Sequence, residues 1–422
     1  MNRFFSFAYG MITRLAAIAL IPALLIKGLF RDRAFLEYLG FYGNKSSNPG
    51  AKSIWVHCSS VGEVKIAWAV IEKIKAAGFQ GRIILTVVTS SGRKIACDLA
   101  GDDVEVSFFP LDLKSCLKRA FKHINPDRII LTETELYPNL INYAVKMGSK
   151  LYIVNGRISD RSYHKYLAIR EWLGPMLKKF ALIMMQSRKD LQRIISLGAK
   201  SSVCQVVDNI KYDLMSKQLD SIDPEMILDE LGLQKDQKII VAGSTRGGEE
   251  RILAQVYVDL VKRYPGLKLI IAPRHLDRIG EVQTYLKGSK LEFILRSNIN
   301  KSAQSGLPDV IILDSMGELT SIYSIAKAAF VGGSLVPKGG QNPLEPIGLG
   351  IPTCFGPHME NFGDIAKTVL NLGLAKKVSD RSGLYQFFDS VFRGEIKKQD
   401  PQVLFEKYGK SAEYSARKIL EN

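Results

Sequence analysis

Six short turns carry the side chains that could do chemistry. The first is His57-Cys58-Ser59-Ser60-Val61-Gly62-Glu63. An apolar run enters it, Gly62 permits a tight turn, and Glu63 falls in the first turn of the helix that follows, where the helix N-terminus stabilises a carboxylate. A carboxylate so placed can accept a proton from a substrate hydroxyl. The same letters also fit a helix cap, because Ser60 and Glu63 stand at capping-box spacing. The second turn is Thr132-Glu133-Thr134-Glu135-Leu136-Tyr137-Pro138-Asn139, directly after the apolar run Arg128–Leu131. Side chains two apart in an extended segment share a face, so Glu133 and Glu135 can point into one cleft; a plain surface turn would read the same. The third is Asp208-Asn209-Ile210-Lys211-Tyr212-Asp213, which offers Lys211 as a cation if the chain brings it near the carboxylates.

The other three lie in the second half and suit a nucleotide rather than proton transfer. Pro273-Arg274-His275 ends a strand-like run, and Asp314-Ser315-Met316-Gly317-Glu318 opens a helix. Gly332-Gly333-Ser334 precedes Gly339-Gly340-Gln341-Asn342-Pro343-Leu344-Glu345-Pro346. Glycine-rich turns at helix starts expose backbone N–H groups to phosphate, and a nearby carboxylate can accept from ribose hydroxyls. Gly243-Ser244-Thr245-Arg246-Gly247-Gly248 is a related small-residue turn, but neither G-x-G-x-x-G nor a Walker A sequence. There is no Asp-x-Asp to hold a divalent cation on a phosphate, no metal spacing among the five histidines, and no serine nucleophile elbow. Charge developing on a leaving phosphate must then be met by Arg, Lys and helix N-termini. No metal and no cofactor are expected.

Positioning such turns takes strands that end beside one another. Ser53–Cys58, Arg82–Thr89, Val104–Phe109, Arg128–Thr132, Lys150–Val154, Leu182–Gln186 and Val203–Val207 read as buried strands, with helices such as Val64–Ala77 and Leu113–His123 between them. After a polar stretch at Leu214–Glu230 a second series runs through Lys238–Gly243, Leu267–Ala272, Asp309–Asp314, Ala328–Gly332 and Pro352–Phe355. Two βα series predict an α/β protein of two Rossmann-like, doubly wound domains facing a cleft, with ligands beyond the carboxyl ends of the strands. The expected segments are 1–34 as a membrane anchor, 35–214 as an acceptor-binding domain and 215–422 as a nucleotide-sugar-binding domain.

Charge separates the halves. Residues 1–214 hold 31 Lys/Arg against 17 Asp/Glu, and residues 215–422 hold 27 against 25, within a chain of 422 residues and net charge +16. The basic half calls for a polyanionic partner. Leu15–Ile26 is an apolar run broken by Pro22, with Arg3, Arg14, Lys27, Arg31 and Arg33 around it. It is short for a span of about 20 residues and suits a cytoplasmic-side attachment with arginines on anionic headgroups. The interleaved aromatics of a single-strand nucleic-acid binder are absent, so no nucleic acid is expected. Five scattered cysteines without a CxxC pair suit a reducing compartment.

Taken in order, these motifs resemble the 3-deoxy-D-manno-octulosonic acid (Kdo) transferases. That family carries a Ser-Val-Gly-Glu turn, Glu-Thr-Glu-Leu-aromatic-Pro-Asn, Asn-hydrophobic-Lys, Pro-Arg after a strand, Met-Gly-Glu, and Gly-Gly-Ser followed by Gly-Gly-x-Asn-Pro-Leu-Glu. All stand here in that order between Ser60 and Glu345, and Gly40-Phe41-Tyr42-Gly43 also matches. The resemblance implies an inverting, metal-independent GT-B glycosyltransferase. It would move Kdo from CMP-Kdo to a lipid A precursor (lipid IVA) in lipopolysaccharide synthesis, on the cytoplasmic side of the inner membrane and among its anionic lipids. It further implies Glu63 as general base, Glu133 and Lys211 as transition-state stabilisers, and Pro273, Arg274, Met316, Gly317, Glu318, Asn342, Pro343, Leu344 and Glu345 as CMP contacts. Gln341 departs from the usual His, and Tyr137 from the usual Trp. Another reading of the same fold is a transferase using CDP-glycerol or a UDP-sugar.

Overall fold

The computed structural model describes residues 33–43, 53–101, 103–219, 222–299 and 307–422, with Tyr9, Thr13 and Pro22 ahead of them. Apart from Pro22, the apolar run 15–26 lies outside the described residues. No helix among the described residues is long and apolar enough to cross a membrane. The chain divides into two compact units, residues 1–214 with Tyr408–Asn422, and Met215–Lys407.

The first unit is built on seven parallel strands: β1 Ser53–Cys58, β2 Arg82–Val87, β3 Glu105–Phe108, β4 Arg128–Thr132, β5 Lys150–Gly156, β6 Leu182–Met185 and β7 Cys204–Val206. Their order across the sheet is β3-β2-β1-β4-β5-β6-β7. Every residue of β1 is buried, as a strand covered by helices on both faces must be. Four helices matter below: α1 Val61–Ala76, α2 Lys114–Ile124, α3 Pro138–Met147 and α4 Lys211–Leu219, of which α4 has only its first four residues in this unit.

The second unit repeats the plan with β8 Ile239–Thr245, β9 Lys268–Pro273, β10 Phe293–Leu295, β11 Val310–Ile312, β12 Ala328–Val331, β13 Thr353–Phe355 and β14 Ala375–Lys377, in the order β10-β11-β9-β8-β12-β13-β14. Helix α5, Glu249–Arg263, follows β8, and α6, Ser411–Glu421, closes the chain. The expectation above ran the second domain on to 422, whereas α6 packs on α1 in the first unit. Its buried Ala412, Ala416 and Ile419 share one apolar cluster with Ile66 and Val70. Asp213 at the head of α4 also accepts from the backbone N–H groups of Ser411 (3.2 Å) and Ala412 (2.9 Å).

The first sheet has its switch point between β1 and β4; in the second, where β11 inserts between β9 and β10, the connections after the adjacent strands β8 and β12 leave in opposite directions. At such switch points the loops beyond the strand ends separate to opposite faces and leave a crevice for ligands.

Candidate active site

In the first unit the switch point holds the carboxylates. Ser60 is the N-cap of α1, and its Oγ accepts from Glu63 N at 3.4 Å. The Glu63 carboxylate turns back, accepting from Ser59 N (2.8 Å) on Oε2 and from Ser60 Oγ (2.7 Å) on Oε1. Capping and chemistry, alternatives in the sequence, are here compatible. The cap holds a carboxylate that is only 8% exposed in one orientation at the end of β1. Thr132, the last residue of β4, reaches the same Oε2 at 3.5 Å while donating to His57 O at 2.8 Å.

Glu133 follows with a left-handed φ of 54°. The segment is therefore a turn, and the extended-strand argument for its two glutamates does not describe it. They still converge. Burial, then the Glu63 charge, raise the Glu133 carboxyl above its ordinary value, while Lys211 and Arg157 oppose the rise. Burial likewise raises Glu135, whose Oε2 accepts from Tyr137 Oη at 3.0 Å. Burial lowers the Lys211 ammonium, the Glu133 charge supports it, and Arg157 lowers it further. Glu63, Glu133, Glu135, Lys211 and Arg157 thus form one electrostatic cluster.

Arg157, Asn155 and Gln186 gave no signal of their own in the sequence. Arg157 is locked to the Glu133 turn because Thr134 Oγ1 donates to its carbonyl at 2.6 Å. Lys211 is set by three amides. Asn209 Oδ1 accepts from Lys211 N (3.0 Å), Asn209 Nδ2 donates to Gln186 (2.9 Å), and Asn155 Oδ1 accepts from Ile210 N (3.0 Å). Asn155 and Asp208 also have left-handed φ, 56° and 36°, so three strand ends carry strained non-glycine residues, as functional sites often do. His57 is fully buried, stacked 3.8 Å from Phe109, with Nε2 3.3 Å from Tyr137 Oη. Burial pushes its pKa down to about 3, so it is a neutral prop for Tyr137 rather than a base at neutral pH.

The second unit brings the glycine turns together at its own switch point. A Cβ on Gly332 would lie 2.5 Å from Thr245 Cα, so only glycine lets the turns after β8 and β12 meet this closely. The backbone N–H groups beyond Gly332 are already filled, however. Fully buried Glu249 accepts from Gly333 N (2.7 Å) and Arg246 N (2.9 Å) on Oε2, and from Ser334 N (2.9 Å) and Leu335 N (2.9 Å) on Oε1. The Gly332-Gly333-Ser334 turn is thus a cradle for an internal carboxylate, and the expectation that it receives phosphate is corrected.

Polar groups around that cradle remain for a ligand. Arg274 is exposed and fixed through its N–H to Thr245 O at 3.0 Å, directly after buried Pro273. Met316 is 67% exposed, unusual for so apolar a side chain, beside Gly317 with a φ of 93°. Glu318 pairs with Arg296 at 3.4 Å. Asn342 donates to Glu345 Oε1 at 3.2 Å and caps Leu344 N at 3.2 Å, while Thr320 reaches Glu345 Oε2 at 3.4 Å and Pro343 is buried. Thr245 Oγ1, Arg246 Nε and Ser315 Oγ are buried without a protein hydrogen-bond partner, which polar groups rarely are unless a ligand or water completes them. Among the described residues no group of His, Cys, Asp and Glu has the geometry of a metal site.

Residues 33–214 match the family described as 3-deoxy-D-manno-octulosonic-acid transferase. A 3-deoxy-D-manno-octulosonic acid transferase of Haemophilus influenzae is 34% identical over 374 residues, covering 88% of this chain and 86% of that one. A bifunctional glycosyltransferase/methyltransferase of Fusobacterium nucleatum is 35% identical over 355 residues, 84% of this chain; the matched part is 54% of that protein's length. Among solved structures, a UDP-GlcNAc 2-epimerase from Neisseria meningitidis superposes with a TM-score of 0.62 over 88% of this chain and 100% of its own, at 13% identity, a likeness of fold alone.

Proposed function

We propose a reaction from one premise: the chain belongs to the 3-deoxy-D-manno-octulosonic acid transferase family and is a glycosyltransferase. The reading is transfer of Kdo from CMP-Kdo to a lipid A precursor with inversion at the anomeric carbon. Glu63 takes the proton of the acceptor hydroxyl as its oxygen bonds to that carbon. The sugar–phosphate bond breaks on the opposite side, and CMP leaves as a phosphate monoester that needs no strong acid. Lys211 and Arg157 offset charge near the reacting centre, and Glu133 holds Lys211 charged. Arg274 meets the phosphate; Pro273, Met316, Gly317, Glu318 and the Asn342–Glu345 segment hold the rest of CMP. The observation that carries the reading is Glu63 and Glu133 beyond the ends of adjacent strands β1 and β4, with Lys211 electrostatically coupled to Glu133.

The experiment is incubation with CMP-Kdo and a tetraacylated lipid A precursor, with the product mass read directly. The product is expected to gain Kdo, and the rate in EDTA is expected to equal that in Mg²⁺, because cationic side chains and helix ends suffice for the leaving phosphate. Loss of activity in EDTA with recovery on adding Mg²⁺ would remove that electrostatic account.

The reading places the protein on the cytoplasmic side of the inner membrane, held by residues 1–34. Each Lys or Arg near an anionic surface contributes about 1 kcal/mol, and salt screens it. High salt is expected to loosen the protein from anionic vesicles without releasing it. Removal of residues 1–34 is expected to release it and to lower activity on lipid acceptors more than CMP affinity. A truncated protein that floats with vesicles as well as the full chain would put the attachment elsewhere.

A further inference from the structure

We propose that a second pocket on the first unit, next to the carboxylate cluster, binds a phosphorylated sugar of the acceptor, with Lys114 and Lys146 as its anion partners. This rests on the reading of the acceptor as a phosphorylated glycolipid, and assigns the part of it that lies away from the reacting hydroxyl. The pocket has a volume of about 350 Å³ and is lined by Lys114 at the head of α2 and by one side of α3, from Pro138 at its head to Lys146 in its last turn. That is near the lower end for small-molecule sites of about 300–1,000 Å³, which suits one sugar phosphate rather than a whole lipid. It adjoins the cluster through the chain itself, since Tyr137, bonded to Glu135, is followed by Pro138 and Asn139 in the pocket wall.

Its chemistry is one-sided. Lys114 and Lys146 line it, both are exposed, and no carboxylate lines it. The nearest acid, Asp112, is already engaged: Oδ2 accepts from Asn139 N (3.0 Å) and Tyr9 Oη (2.8 Å), and Oδ1 from Leu140 N (2.8 Å). Lys114 is the first residue of α2, whose N-cap Leu113 supplies no side-chain cap, so that helix start adds partial positive charge. Behind the wall, Lys179 donates to Asn142 Oδ1 and occupies the one part of that amide that would repel an anion. Burial lowers the Lys179 pKa, and an anion in the pocket would oppose that shift.

The remaining wall is aromatic. Trp172 and Tyr9 lie with ring centroids 6.0 Å apart, offering flat apolar faces with polar edges, the combination that suits a sugar ring. Tyr9 in the pocket wall stands six residues before the apolar run that begins at Leu15 and belongs to the stretch 1–34 assigned to the membrane. A headgroup in this pocket would sit where a membrane-embedded acceptor presents it.

The test uses the full chain and its Lys114→Ala/Lys146→Ala double variant. The first probe is the deacylated, diphosphorylated glucosamine disaccharide, titrated by calorimetry. It is expected to bind the wild type and to lose at least about tenfold in affinity in the variant, as loss of charge-assisted hydrogen bonds does. Absence of binding to the wild type, or equal affinity in both proteins, overturns the proposal whether or not the protein transfers Kdo. In the transfer assay the variant's KM for the diphosphorylated acceptor should rise to the same degree, with CMP affinity unchanged and no difference between the proteins on a dephosphorylated acceptor. Failure of the wild type to transfer Kdo, with disaccharide binding intact, would fault the functional reading and not the pocket. If the double variant instead loses binding to phosphatidylglycerol vesicles while its disaccharide affinity is kept, the lysines serve bulk headgroups and the proposal falls. Trp172→Phe, expected to weaken the disaccharide while leaving vesicle binding unchanged, guards against an effect of the lysine changes on folding.

Discussion

Glu63→Gln is expected to lower turnover about 10²- to 10⁴-fold, the usual contribution of a positioned general base, while leaving CMP affinity at its wild-type value. The substitution keeps the shape of the side chain. A glutamine oxygen can still accept from Ser59 N, and the Ser60 hydroxyl can rotate to accept from the amide. What is lost, in the proposed reaction, is the site for the acceptor's proton. Stability should move the other way, because the Glu63 charge helps raise both the Glu133 and Glu135 carboxyls. A carboxyl raised above its ordinary value of 4.5 contributes stability that is fully present below that pH and lost as pH rises through the raised value. Removing the Glu63 charge reduces that loss, so the variant should unfold at a higher urea concentration than wild type at pH 7.5, and the gap should close near pH 4. Glu133→Gln and Lys211→Ala should also reduce kcat with CMP affinity intact, since the proposed reaction sets both at the reacting centre. Steady-state rates beside calorimetric CMP affinities decide the matter. Near-normal turnover in Glu63→Gln would remove it as the base, and loss of CMP affinity in Glu133→Gln would mean the donor contacts the first unit.

Much of this arrangement is legible in the amino-acid order because strand ends and chemistry coincide. β1, β4, β9 and β12 are apolar runs that stop at a turn, and Glu63, Glu133, Arg274 and Gly332 lie in the turns or helix starts that follow them in that order. Two strands went unread. β10 and β14 are three-residue edge strands, and β14, Ala375-Lys376-Lys377, exposes both lysines, so neither has the length or pattern of a buried strand. The destination of α6 was hidden for another reason: a 3.6-residue apolar stripe shows that a helix packs, not on which domain. Asn155, Gln186 and Asn209 act through contacts between residues 23 to 55 positions apart, and single amides in a sequence carry no mark of that. The amide set gives Lys211 its place, and of the three only Asn209, in the Asn-hydrophobic-Lys segment, belonged to a motif named in the sequence.

Glu249 is the sharpest such case. In sequence it is the first of two acids opening a helix, which reads as a favourable charge at a helix N-terminus. In the fold it is an internal anion holding four backbone amides from two loops. Burial raises its carboxyl pKa and the amides oppose the rise; with both oxygens doubly occupied, the ionised form is the one that fits. Glu249→Ala should therefore leave four backbone donors without partners, two of them buried and two part-buried, each costing up to about 1–3 kcal/mol less whatever water can recover. A net loss of roughly 3–5 kcal/mol would lower the melting temperature of a unit this size by about 10 °C. CMP affinity should fall as well, because the loop from Gly333 leads to Asn342–Glu345. Arg274→Ala supplies the contrast: CMP affinity should drop about ten- to a hundredfold with the melting temperature unchanged, because its exposed side chain holds no part of the fold. The Ala variant also creates a cradle for a small carboxylate. Acetate, which gains nothing by binding wild type, should raise the melting temperature of Glu249→Ala in a concentration-dependent way by mass action, and formate should do the same. Chloride at equal ionic strength separates this from screening. If Glu249→Ala melts like wild type, or if acetate and chloride act alike on it, the carboxylate is not what holds the two loops together.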